Sequence, residues 1–321
     1  MLEVGIIGLG GWGRRLVASV QGKSDKLRFT AAASGTSGKA KPFAEQHGLT
    51  LHADVAALLA DRNIAAVVSA GPAGLHAPHA LQALEAGKHV LAVKPMASTR
   101  AEAEALAAAA KKSGRLLALG YDRCFYPNVR ELRRCIAAGR LGPLIHAEGD
   151  FCADRYRDLR PDSWKATGQV TAGSLADHMI YLMIELLGPV AEVTVAATRQ
   201  VAKEVPLADV TAVLLRFKSG QTGLLSAIGV TAELSRLHVF GSEGWAEMRG
   251  LTEFTRQGLT GAPQRLDLPT IDAQRVEMES FADAVAGIAP FPVPVADAVH
   301  SAAVLEAMAR SAASGRPETL D

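Results

Sequence analysis

EVGIIGLGGWG, Glu3 to Gly13, is a short apolar run that breaks into glycines, with Gly8, Gly10 and Gly13 at G-x-G-x-x-G spacing. A strand that turns tightly into a helix needs this pattern. The glycines let the turn close, let the backbone approach a pyrophosphate, and aim the amides of a helix N-terminus at its charge. With 30 glycines in the chain the motif alone would be weak. Its setting strengthens it, because a helix-like segment follows and the motif opens a region of alternating strand and helix patterns.

Outward from that turn, Val4 to Gly8, Leu27 to Ala33, Ala65 to Ala70, His89 to Val93 and Leu116 to Leu119 read as strands. Residues 12–21, 38–47, 73–86 and 98–113 read as helices between them. This rhythm predicts a doubly wound parallel sheet over residues 1–123. Beyond residue 140 the runs EVTVAATRQ, DVTAVLLRFKSGQTGLLSAIG and RLHVFGSEGWAEM alternate with period two and are joined by turn-like KSGQ and GSEG. They predict an antiparallel meander, served by helices over 173–187 and 295–313, in an α+β domain over 124–321. A sheet with one face left bare needs a cover. A second copy of the chain is the simplest, so a homodimer or homotetramer through this sheet is expected.

The 321 residues are 49% hydrophobic and carry a formal charge of +1. No block of like charge gives nucleic acid or a membrane surface an electrostatic footing. The N-terminal apolar run is too short for a signal peptide or a span, and the three cysteines Cys124, Cys135 and Cys152 have no metal-ligand spacing. A cytoplasmic protein with reduced thiols and no metal is expected.

In a nucleotide-binding sheet an acidic residue at the end of the second strand would bind the adenosine ribose of NAD. Here that end reads Ala33-Ser34-Gly35-Thr36-Ser37-Gly38-Lys39, with no carboxylate. Ser34, Thr36 and Ser37 can donate hydroxyl hydrogen bonds to a phosphate, and Lys39 with Arg14 can supply charge, so NADP is expected ahead of NAD.

HVLAVKPMAS, His89 to Ser98, runs a strand into Lys94 and Pro95, which puts an amine at the carboxyl edge where such sheets bind ligands. A second feature is GSLADHMIYLMIELLG, apolar on nearly all sides, with Ser174, Asp177, His178, Tyr181 and Glu185 at helical spacing on one face. A polar stripe on a buried helix needs internal partners or a cavity. Lysine, aspartate and tyrosine beside a nicotinamide can move a proton to or from a hydroxyl while hydride moves at carbon.

GLGGWG, GPAGLHAPHALQALEAGKHVLAVKPMA, GYDRCFYPNVRELRRCIAAGRLGPL, DSWK and AGSLADHMIYLMIELLG together resemble the Gfo/Idh/MocA oxidoreductases, nearly end to end. The resemblance implies a Rossmann domain, a C-terminal domain with an open sheet often used for dimerisation, and NAD(P)-dependent chemistry on sugars, cyclitols or related polyols. Lys94 matches the lysine of the family's Glu-Lys-Pro motif, with Val93 in place of the glutamate and a cis Lys94-Pro95 bond expected. Asp177 matches the helix aspartate, and Tyr181 stands where most members have histidine. The resemblance thus assigns catalysis to Lys94, Asp177 and Tyr181. Cofactor contacts are expected from Gly8, Gly10, Gly11, Trp12, Gly13 and Arg14, from Ser34, Gly35, Thr36, Ser37 and Lys39, and from Pro72, His76, Lys94, Pro95 and Arg123. Trp164, Lys165 and His178 join Asp177 as expected substrate contacts, with a core histidine bonded to backbone as the alternative for His178. Two other functions fit the resemblance: a dinucleotide-binding sensor without turnover, and a redox-neutral enzyme that holds its cofactor tightly.

Overall fold

The structure is a computed structural model that describes residues 1–163, 166 and 173–320; the side chains of Ser37 and Ser174 also lie outside the description. The first stretch of chain runs β1 (Leu2–Ile7), α1 (Gly11–Val20), β2 (Leu27–Ala33), α2 (Ser37–Gln46), β3 (Thr50–His52), α3 (Val55–Ala60), β4 (Ala66–Ser69), α4 (His76–Glu85), β5 (His89–Val93), α5 (Arg100–Ser113) and β6 (Leu117–Gly120). There follow α6 (Pro127–Ala137), β7 (Leu144–Cys152), α7 (Gly173–Leu187), β8 (Val190–Thr198), β9 (Val210–Phe217), β10 (Thr222–Ile228), β11 (Leu234–Gly241), β12 (Gly244–Arg249), β13 (Glu253–Gly258) and β14 (Gln264–Asp267). The chain closes with α8 (Ala273–Val285), α9 (Val295–Ser314) and β15 (Glu318–Thr319).

Two compact units result, one of residues 1–122 and 272–299, the other of residues 123–271 and 300–321. The first is a six-stranded parallel sheet in the order β3-β2-β1-β4-β5-β6, so the strand order reverses between β1 and β4. Ligands of such sheets bind outside the carboxyl ends at that reversal. Strands β4 and β6 are buried at every residue, as a sheet covered on both faces requires. Residues 272–299, which the sequence reading assigns to the second domain, return to this unit. There Met278 and Phe281 of α8 share one apolar core with Val4, Val68, Leu91 and Ala118. The physical reason is area, since a sheet face this apolar must be covered and α8 supplies hydrocarbon for it.

The second unit holds a nine-stranded sheet in the order β14-β13-β12-β11-β7-β10-β9-β8-β15. The expected single meander needs correction here. Strands β10 and β11 are not neighbours, because β7 lies between them, parallel to β10 and antiparallel to β11. Every other pairing in this sheet is antiparallel. Helix α7 packs on β7 and β10. It comes close because Gly149 of β7 has no side chain: a Cβ there would lie 3.1 Å from Cβ of Met179 and 3.0 Å from Cε of Met183. The opposite face carries Glu148, Asp150, Leu214, Leu224 and Arg236. Among the described residues no helix is long and apolar enough to cross a membrane.

Candidate active site

The first unit builds its site around two turns that touch. Gly8 follows β1 with φ +102°, and a Cβ on it would lie 2.7 Å from Cα of Gly71, the turn after β4. A Cβ on Gly13 would lie 2.0 Å from the Gly8 carbonyl oxygen, so the first turn of α1 is seated directly on the end of β1. Gly10 and Gly11 differ, because a Cβ on either would meet nothing within 4 Å. Two glycines thus close the turn, and two leave open space beside the amides of α1. That helix has Gly10 as its N-cap, with no side-chain cap and no acidic residue in its first turn. Its N-terminal amides and dipole are left for an anion, and the residues present fit a dinucleotide pyrophosphate.

At the end of β2, Ser34 is half-buried and Gly35, Thr36 and Lys39 are exposed. The Ser34 and Thr36 hydroxyls lie 3.4 Å apart. Arg14 joins this edge to the glycine turn. Its Nε donates to the Leu9 carbonyl at 2.9 Å and its Nη2 to the Lys39 carbonyl at 2.6 Å, while its guanidinium lies 5.2 Å from the centre of the Phe43 ring. Two hydroxyls and two cations therefore stand where an acidic residue would otherwise stand.

Lys94 is the first residue beyond β5, partly exposed, and the Lys94-Pro95 peptide is cis. Val93 is buried in the apolar core. His76, at the start of α4, is 2% exposed; Nδ1 lies 2.9 Å from the Pro95 carbonyl oxygen and Nε2 lies 2.8 Å from that of Gly71. Burial, assisted by the Lys94 ammonium, holds this imidazole below its ordinary pKa, although both carbonyls favour the charged ring. Both ring nitrogens are thus spent on backbone, so whatever His76 contributes to a cofactor goes through the turns it holds. Pro72, half-buried, precedes the single 3-10 turn that leads into α4.

In the second unit the polar stripe of α7 resolves into named contacts. Asp177 is fully buried, and its Oδ1 accepts a hydrogen bond from Ser301 Oγ at 3.0 Å. Tyr181, one helical turn on, is 1% exposed. The His178 ring stacks on Phe151 with centroids 4.5 Å apart and planes 18° apart. Glu185 takes both ends of the Arg133 guanidinium, at 2.5 Å from Nε and 2.7 Å from Nη2, which ties α7 to α6. Glu185 is therefore structural.

Arg123, expected at the cofactor, also belongs to this unit. Its Nη1 donates to Ser235 Oγ at 2.8 Å and its guanidinium lies 4.6 Å from the centre of the Phe151 ring. Trp164 and Lys165 lie outside the described residues. Sequence reasoning did not find Gly71, Ser235 or Ser301. Ser235 and Ser301 lie far along the chain from Arg123 and Asp177, as Gly71 does from Gly8, and none carries a local pattern of its own; only the tertiary fold gives it a role.

A model of an oxidoreductase family with an NAD-binding Rossmann fold matches residues 2–121, and a model of the GFO/IDH/MocA C-terminal domain matches residues 129–247. Inositol 2-dehydrogenase 1 of Saccharopolyspora erythraea is 28% identical over 98% of this chain and 95% of its own. A scyllo-inositol 2-dehydrogenase (NADP(+)) of Bacillus subtilis is 31% identical over 45% of this chain and 41% of its own. A levoglucosan dehydrogenase solved with NADH superposes with a TM-score of 0.91 at 21% identity, covering 100% of this chain and 99% of that one, and so shares the fold. With the nucleotide-binding model and the C-terminal model matching in succession, the chain belongs to the Gfo/Idh/MocA oxidoreductases.

Proposed function

We propose that this oxidoreductase is an NADP-dependent dehydrogenase or reductase acting on a hydroxyl or carbonyl carbon of a sugar, cyclitol or related small polyol. The observation that carries the reading is Lys94 at the carboxyl end of β5, on the edge of the same sheet where the glycine turn opens beside an uncapped helix. When bound, the dinucleotide supplies the hydride acceptor or donor. Lys94 holds or accepts the proton of the reacting hydroxyl, and as an ammonium it polarises a carbonyl in the reverse direction. Tyr181 shares that proton work and Asp177 orients the polyol, roles that follow from the family pattern at those positions. His178, only partly buried against Phe151, is a substrate contact in this reading, as are Trp164 and Lys165.

The choice of NADP rests on the end of β2. Ser34, Thr36 and Ser37 offer hydroxyls, and Lys39 and Arg14 offer charge, where a carboxylate would repel the additional phosphate. The relative named for NADP is consistent with it. The test is absorbance of the reduced nicotinamide with inositols, aldoses and their oxidised forms, NADP being compared with NAD. Turnover with NADP, lost by at least about a hundredfold in Lys94→Ala while the dinucleotide still binds, is the expected result. Dinucleotide binding with no turnover on any polyol would instead favour a sensor, and equal use of NAD would remove the argument from β2.

A further inference from the structure

We propose that His76 is a positioning residue for Lys94: its imidazole ties the carbonyl of Pro95, next after the lysine, to the carbonyl of Gly71 after β4, and so fixes the direction in which the amine leaves the sheet edge. The proposal rests on the reading of Lys94 as the proton-transfer residue. Its ground is the pair of contacts at 2.9 and 2.8 Å on a ring only 2% exposed. A neutral imidazole carries one N–H and can satisfy only one of two carbonyls; a ring with two N–H groups satisfies both.

The second proton is opposed from nearby. Burial first, and the Lys94 ammonium after it, keep the ring below its ordinary pKa. His79, three residues along α4, is itself held below its ordinary pKa by burial and by His76. His76 is therefore neutral and donates to one of the two carbonyls. It holds the lysine turn against Gly71, the same turn that abuts Gly8 of the cofactor cradle.

The test compares wild type, His76→Phe and His76→Gln. With scyllo-inositol and NADP, kcat is expected to fall about tenfold to a hundredfold in His76→Phe and less in His76→Gln, which keeps a donor for one carbonyl, while KM for the polyol moves less than about threefold. NADP affinity, read from tryptophan fluorescence, stays within about threefold. A folded His76→Phe with kcat unchanged, or with NADP affinity lost as far as kcat, overturns the proposal. If His76→Phe does not fold, the same comparison in His76→Gln decides alone. If Lys94→Ala leaves turnover intact, the role of Lys94 fails; if instead Lys94→Ala is impaired and His76→Phe lowers its residual kcat by the same factor as in wild type, His76 does not act through Lys94 and the proposal alone fails.

Discussion

At the scale of single residues, an electrostatic liability lies on α8. Glu277 is 1% exposed, and its Oε1 has no hydrogen-bond partner among the described residues. Burial first, and the neighbouring Asp122 second, push its carboxyl well above the usual range. Asp122 itself accepts from Gln274 Nε2 at 2.8 Å. In the folded chain Glu277 keeps its proton at pH values where the unfolded chain has released it, so the folded state binds more protons. Stability is therefore whole below the ordinary glutamate range and is lost as pH rises through the raised folded value. Glu277→Gln removes the ionisation and keeps the shape. Thermal unfolding of the variant at pH 5, 7 and 8.5 should show a gain that widens with pH, reaching roughly 1–3 kcal/mol at the alkaline end. A gain independent of pH would mean that Glu277 finds compensation after all.

At the scale of elements, the close seating of α7 on β7 decides where Asp177, His178 and Tyr181 stand within the second unit. Gly149 makes that seating possible, and the contact with Met179 Cβ, 3.1 Å from a hypothetical Cβ, is with the stiff root of a side chain. Gly149→Val should lift the helix and cost about 1–3 kcal/mol by denaturant unfolding. Turnover should fall further than dinucleotide affinity, because the cradle is in the other unit. Comparable losses in both would show that the helix is not what moved. Helix α7 was legible in the sequence because a run apolar on nearly all sides leaves little choice but burial, and β1 with its glycine turn was legible because that spacing stands between a strand pattern and a helix pattern. Strand β7, LIHAEGDFC, was not: charged residues alternate with small ones, and its place between β10 and β11 depends on pairings far along the chain. Helix α8 hid for a related reason, since its buried stripe includes Gln274 and Glu277. Lys94 and the Asp177-Tyr181 pair stand out as candidates from motif and spacing, whereas the double contact of His76 depends on two backbone turns that only the folded chain brings together.

At the scale of the whole molecule, the second sheet poses the question of what covers its open face. Helices α6 and α7 pack on the sheet, yet Leu214 and Leu224, paired across β9 and β10, are each 47% exposed. Beside them runs a polar cluster in which Arg236 reaches Asp150 at 2.7 Å, Glu148 at 3.0 Å and Glu247 at 3.6 Å. Apolar residues flanked by internally paired charges make a face that can be desolvated without stranding a lone ion. Nine strands about 4.8 Å apart and roughly 20 Å long present on the order of 800 Å², close to what one partner buries in a stable interface. A second copy laid face to face on this sheet meets the same pattern, so a two-fold dimer is expected. Sedimentation equilibrium at micromolar concentration should give a dimer or a tetramer built from it. Leu214→Glu combined with Leu224→Glu should give monomers, because four new carboxylates would face one another across the contact. A wild-type chain that sediments as a monomer, or a double variant that still pairs, would mean that the face is covered in some other way.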